Sequence, residues 1–326
     1  MKTKNILLMG ALAMMMAACG NDDDITTPVT PTHEQEQDAN NTNRNQTTTT
    51  PDAWRLEFPK LKGTGSVVIV HKAVLNDPKS KDKGSYETGI NYSIEWDTNI
   101  HAQRWSCYQM YANISNGNVS RYSVSPKGSL TPDSQYPNDI FLLSNYQFTV
   151  DPYWNSGYDH GHICPSADRL RATECNYQTF YITNMQPQYN KFNAGLWAQM
   201  EGDVRNWVSL SDTLYVCKGG TIDKAENILE YIFHNSHQST RVNTNHIPVP
   251  RFFYMAVLSR KGNQWRALGY WVQNLNEDHT YDNRRGYAIS IDRLEELTGI
   301  DFFCNLPDDI EDEVEKTLTP SFWGFK

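Results

Sequence analysis

A chain of 326 residues with a formal net charge of −9 and a sequence pI near 5.5 can hold one sizeable core or two small domains. That charge argues against a broad basic surface for nucleic acid, yet leaves room for a local phosphate site in which a metal ion and a few arginines supply the positive charge. The 18 Tyr, 12 Phe and 9 Trp support a globular body.

The first twenty residues, MKTKNILLMGALAMMMAACG, place lysines at 2 and 4 before an apolar run from Ile6 to Ala18 that ends at Cys19. This is the layout of a secretory signal, and the run is too short for an ordinary transmembrane helix. Met16-Ala17-Ala18-Cys19-Gly20 resembles a bacterial lipobox, so residues 1–18 are expected to be a lipoprotein signal peptide removed ahead of a lipidated Cys19. The acidic run Asn21-Asp22-Asp23-Asp24 resembles a surface-export signal. The expectation is an exported outer-membrane lipoprotein, on the periplasmic or the cell-surface face. Residues 19–52, dominated by Thr, Pro, Asn, Gln and acidic residues, have little to bury and are expected to form a flexible tether, leaving 53–326 as the domain. Export permits disulfides, but the five remaining cysteines (107, 164, 175, 217 and 304) are an odd number and lack a CxxC zinc spacing.

Along the body, Ser66–Leu75, Tyr92–Trp96 and Arg104–Tyr111 read as strands, rich in β-branched and aromatic residues. From Ala112 to Val150 the chain is rich in Ser, Asn, Pro and Gly and reads as a long irregular excursion, the kind that is usually functional. Phe180–Asn184 reads as a short strand, and Asn193–Val208 as a helix with apolar residues at 197, 200, 204, 207 and 208. Thr213–Val216 is a strand ending in a Gly219-Gly220 turn. Arg251–Leu258 and Trp265–Val272 pair around Lys261-Gly262-Asn263. Ile289–Leu297 opens a helix, with Asp292 as its expected cap and Gly299 as its stop. Strands first and helices inserted late give an α+β domain around an antiparallel sheet.

The chemistry concentrates in Tyr158–Arg169, which reads YDHGHICPSADR. In an extended segment His160 and His162 share a face, which suits a metal with Asp159 nearby, or equally two loop histidines without a chemical task. Downstream, Asn184, Asn193, Glu201 and Arg205 are each explicable singly: Asn193 as a helix cap, Glu201 and Arg205 as an i,i+4 ion pair.

Together, YDHGHICPSADR and YITNMQPQYNKFNAGLWAQMEGDVRNW resemble the DNA/RNA non-specific endonuclease family, whose motif reads Asp-Arg-Gly-His, then an Asn in a strand, an Asn before a helix, and Glu and Arg on that helix. YVCKGGTI, IPVPRFFYMAVL, ALGYWVQN and YAISIDRLEELTGIDFF extend the resemblance over roughly residues 55–326. It implies a ββα-metal finger embedded in a central antiparallel β-sheet flanked by helices. It also implies hydrolysis of phosphodiesters in DNA and RNA with one divalent ion, Mg²⁺ or in its place Mn²⁺, leaving 5′ phosphates. Carried over, His162 is the general base, Asn193 the only direct protein ligand of the metal, and Glu201 holds the metal's waters. Asp159 belongs to the catalytic motif, Asn184 and Arg205 help shape the site and contact phosphate, and Arg121, Arg169 and Arg171 are candidates for binding substrate phosphate. Relatives are often homodimers.

One position departs from the motif. His160 stands where the family has Arg, and a histidine offers fewer donors and no permanent charge. Either the optimum becomes more acidic, or activity falls, or a neighbouring arginine takes over. Two alternatives stay open beside the nuclease: a metal-dependent phosphodiesterase on a non-polymeric substrate, and a weakly active nucleic-acid-binding surface lipoprotein.

Overall fold

The computed structural model describes residues 40–75, 88–112, 114, 117–125, 128–234, 236–238 and 246–326. The expected signal peptide, Cys19 and the acidic run after it lie outside the described residues. Among the described residues no helix is long and apolar enough to cross a membrane.

Strands β1 (Ser66–Val74), β2 (Thr88–Asp97) and β3 (Ala102–Met110) form the expected antiparallel meander. A separate hairpin-like pair follows, β4 (Asp159–His162) with β5 (Met185–Gln188). Next come β6 (Thr213–Gly220) and a small sheet of β7 (Ile228–Phe233), β8 (Ser236–Gln238) and β9 (Ile247–Pro250). The last strands are β10 (Phe252–Lys261), β11 (Gln264–Gln273) and β12 (Ala288–Ile289). The large sheet runs β1-β2-β3-β6-β10-β11-β12, antiparallel throughout. Helices α1 (Thr173–Gln178), α2 (Ala198–Trp207), α3 (Ile291–Thr298) and α4 (Asp308–Lys316) complete the α+β body.

The period of two in β6 divides the core. Leu214, Val216 and Lys218 face α2, where Trp197, Met200 and Val204 pack. Tyr215 and Cys217 face the other way, onto a second core with Trp105, Cys107, and Ile291 and Leu294 of α3. The sheet therefore separates an α2 face from an α3–α4 face.

Some expectations need correction. Phe180–Asn184 is a buried turn, because the Asn184 side chain serves the surrounding backbone instead of a ladder; the strand is β5, just after it. Gly219-Gly220 continues β6 without turning. A Cβ at Gly219 would lie 2.4 Å from the Arg104 carbonyl oxygen and one at Gly220 2.5 Å from Pro250, so close packing asks for glycine here. Ser290 caps α3, its Oγ accepting from Arg293 N (3.2 Å), so Asp292 is left free of that task; Gly299 does close the helix, at φ 74°.

The expected tether also ends before residue 52. Asn45 is only 5 % exposed and donates from Nδ2 to the Pro59 carbonyl (3.0 Å), while Thr42 bonds Asp308 of α4. Amides, not apolar side chains, dock this stretch, which is why composition reads it as linker. All five cysteines of the body are buried free thiols. Among its described residues the excursion between β3 and β4 is irregular as expected apart from the single turn Ser144–Tyr146, and it forms one wall of the site.

Candidate active site

β4, β5 and α2 form a ββα unit against the large sheet. Gly161 sits opposite Gln186, and a Cβ there would lie 2.3 Å from Cδ of the buried Gln188, so the residue between the two histidines has no room for a side chain. Alternation turns His160 and His162 to one side. Both line a cavity of about 500 Å³ together with Arg121, Tyr136, Asn193 and Glu201.

The helix carrying the other groups does not run straight from Asn193. A widened turn, Phe192–Trp197, precedes α2 and is broken at Gly195 (φ −100°, ψ −110°), where a Cβ would meet Thr280 Oγ1 at 2.6 Å. The break sets Asn193 ahead of the helix, where Nδ2 donates to Asp159 Oδ2 (2.8 Å). Asp159 also accepts from Asn190 Nδ2 at 2.9 Å. With its amino group tied back, Asn193 keeps Oδ1 as an acceptor that no described residue uses.

His162 packs edge-on against Phe180, 4.8 Å between centroids, and bonds the backbone of His160. Its Nε2 is buried without a partner, so the bonded nitrogen is Nδ1 and Nε2 carries the lone pair. Burial first, then the charges of Arg121 and His160, hold the imidazole well below its usual pKa. Glu201 accepts from Lys218 Nζ at 2.7 Å, and Lys218 is fully buried with its ammonium 4.7 Å from the centre of the Trp197 ring. Burial raises the Glu201 pKa above the ordinary carboxylate value, and Lys218 opposes that rise. His160 is stacked between Tyr136 (3.7 Å) and Tyr153 (4.5 Å), with Nε2 3.0 Å from both oxygens of the buried Asp151. Arg121 bonds Ser166 Oγ and lies 4.8 Å over the Phe180 ring, with no carboxylate partner among the described residues. Burial lowers its pKa.

A neutral imidazole with an unbonded nitrogen, a carboxamide oxygen, a carboxylate and a guanidinium without a carboxylate partner among the described residues surround one polar cavity, a set of groups able to act on a phosphodiester. The family model described as DNA/RNA non-specific endonuclease matches residues 76–309. The chain belongs to the DNA/RNA non-specific endonuclease family. Membership makes it an endonuclease-type hydrolase of nucleic acids. Among curated relatives, a nuclease of Nostoc sp. is 28 % identical over 232 residues, 70 % of this chain and 76 % of its own. Human mitochondrial endonuclease G is 26 % identical over 180 residues, 53 % of this chain and 58 % of its own. The crystal structure of the EndoG/EndoGI complex shares the fold, with a TM-score of 0.54 at 19 % identity over 66 % of this chain and 84 % of that one.

Not every residue carried over by the family pattern reaches the cavity. His160, His162, Asp159, Asn193, Glu201 and Arg121 line it. Asn184 is fully buried behind it, accepting from Ser106 Oγ and Cys164 N and donating to the Cys164 and Thr179 carbonyls. With its amide saturated it braces the end of β4 and cannot touch phosphate. Arg205 reaches Asp168 Oδ1 at 2.9 Å outside the cavity wall, and Asp168 also accepts from Tyr108. Arg169 corrects a binding expectation: it is 0 % exposed, bonded to the Asn91, Gln109 and Asp168 carbonyls and stacked on Tyr108, so it is a core strut.

Sequence reasoning missed Lys218, Asp151 and Tyr136. Lys218 had a signal, a lysine at an inward position of an apolar strand. Asp151 and Tyr136 had none, because they come from the irregular excursion.

Proposed function

We propose that this protein is an exported, lipid-anchored, divalent-cation-dependent endonuclease that cuts DNA and RNA without sequence preference and leaves 5′ phosphates. The observation that carries the mechanism is the buried, unpartnered Nε2 of His162 beside Asn193, Glu201 and Arg121 on one cavity wall. The donor set fits Mg²⁺, or Mn²⁺ in its place: Asn193 Oδ1 would hold the ion and the second Glu201 oxygen would accept from its waters. When bound, the ion supplies neutralisation of charge at the reacting phosphate and at the leaving oxygen.

The protein's own residues do the rest. His162 Nε2 accepts a proton from the attacking water, and its lowered pKa keeps that lone pair available below neutrality. Asp159 holds the Asn193 amide so that its oxygen, not its amino group, faces the cavity. His160 spends Nε2 on Asp151 and cannot present a guanidinium's fork of donors. Arg121, desolvated and free of any carboxylate among the described residues, takes over the phosphate contact that the family's arginine makes.

The test is cleavage of plasmid DNA by the purified protein with Mg²⁺ from about pH 5 to about pH 9, beside His162→Ala and Arg121→Ala. A base acts while unprotonated, so a depressed pKa places the acidic limb of the profile well below 6.5, the ordinary imidazole value. His162→Ala should lose the activity by at least about 10²-fold. Wild-type cleavage unchanged by His162→Ala would overturn the mechanism, and a small diester cleaved better than plasmid would reassign the substrate. The anchor rests on Cys19 in its lipobox. Cys19→Ala should move the protein from the membrane to the soluble fraction, and membrane retention would refute it.

A further inference from the structure

The α3–α4 face carries a second concentration of charge, on the opposite side of the sheet from the cavity. Asp292 and Glu295, three apart on α3, meet Glu315 of α4, and one carboxylate oxygen from each lies within 4.8 Å of the other two. Glu315 is 7 % exposed, and its Oε1 is buried with no hydrogen-bond partner. Glu295 receives one bond on Oε1, from Phe302 N at 2.7 Å. Glu311, one turn before Glu315 and 5 % exposed, is bonded by Asn43 Nδ2.

The cations of these helices are spent elsewhere. Arg293 pairs with Glu296 and Lys316 with Asp312, and among the described residues no Lys or Arg pairs with Asp292, Glu295 or Glu315. Lys60 acts on the neighbouring Asp301, with its ammonium on the Asn43 and Arg44 carbonyls. Three carboxyl groups thus converge with no paired cation among the described residues, one of them buried with an oxygen that no hydrogen bond satisfies, an arrangement that is costly unless a proton or a cation occupies it.

We propose that Asp292, Glu295 and Glu315 form a second divalent-cation site, for a hard oxygen-seeking ion of the Ca²⁺ class, that ties α3 to α4. A cation bound at about 2.3–2.6 Å places opposite ligand oxygens about 5 Å apart, so three oxygens within 4.8 Å of one another fit around one ion. Carboxylate-only donors select Ca²⁺ or Mg²⁺ over softer metals, and Ca²⁺ accepts irregular geometry where Mg²⁺ requires a near-octahedral shell. Burial and mutual repulsion push the Glu295 carboxyl up to about 8 and the Glu315 carboxyl up to about 10, the load that a bound cation relieves. The site is independent of the catalytic reading, because no ligand is shared.

The experiment measures thermal unfolding of the full-length protein, stripped with a chelator, with and without millimolar CaCl₂ at about pH 8, where the cation competes with the protons that the empty cluster retains. Asn193→Ala serves as the background, to remove the proposed protein ligand of the catalytic ion. Ca²⁺ should raise Tm by several degrees, more than MgCl₂ does. Glu315→Gln should fold, with an unchanged chelated Tm because the amide replaces a carboxyl that stays protonated in the empty cluster, and should abolish the Ca²⁺ response; Asp292→Asn should weaken it. Equal Tm with and without Ca²⁺ would overturn the site and leave shared protons as the occupant of the cluster. A Ca²⁺ response that survives both variants would overturn it as well.

Discussion

A buried lysine pairs with the carboxylate that the proposed mechanism depends on. Lys218 has no exposure and, among the described residues, one ion-pair partner, Glu201, whose pKa burial already raises. Lys218→Met keeps the bulk of the stem and removes the charge that opposes that rise. The Glu201 pKa should then climb further, and a carboxylate with a higher pKa ionises only at higher pH. The expected loss is roughly 10- to 100-fold near neutrality, the usual effect of removing a supporting partner behind a metal site. It should shrink as pH rises, so that the acidic limb of the variant's profile moves upward. A uniform loss at every pH would mean that Lys218 only packs against Trp197. Burial decides the other residues too. Of the four arginines that sequence position offered to the phosphate, only Arg121 lines the cavity; Arg171 does not reach it, Arg169 is enclosed and Arg205 is held by Asp168. Exposure is a tertiary property, and no local pattern distinguished these four.

At the scale of elements, β4 depends on its central glycine. Gly161→Ala would bring a methyl to within 2.3–2.5 Å of the Gln188 Cδ, Oε1 and Cγ atoms, and Gln188 is fully buried. Overpacking of this kind costs about 1–3 kcal/mol, visible as a lower denaturant midpoint with unchanged slope. The clash is with one side chain, so Gln188→Ala should rescue it: the double variant should be more stable than the sum of the two single changes implies. Strict additivity would place the strain in the backbone. The major strands were legible because β-branched and aromatic runs match a half-buried pleat, and Gly299 stopped its helix as expected. The misread segments are those where a side chain replaces the ladder or where backbone approaches backbone. Asn184 turns Phe180–Asn184 into a brace, and close neighbours demand Gly219 and Gly220 in mid-strand. Neither cause has a signature in hydrophobic period.

For the whole molecule, the distribution of charge predicts how substrate is held. The net charge of −9 argued against a broad basic surface and left room for a local phosphate site; in the cavity Arg121 is the one lining guanidinium among the described residues, with His160 beside it. Each phosphate neutralised on duplex DNA contributes about −0.9 to the slope of log K against log salt. One or two contacts give a slope of about −1 to −2, so raising salt from about 50 to about 200 mM should weaken binding only roughly 4- to 16-fold, against 10³–10⁵ for a protein gripping 6–10 phosphates. The measurement is anisotropy of a labelled duplex titrated with the His162→Ala protein, so that binding is read without cleavage. A shallow slope means that the affinity the surface does not supply comes from the metal and the cavity, and that chelation should weaken binding more than salt does. A steep slope would require a basic face beyond the cavity wall, and the excursion between β3 and β4, which already contributes Arg121, is where substitutions should then be made.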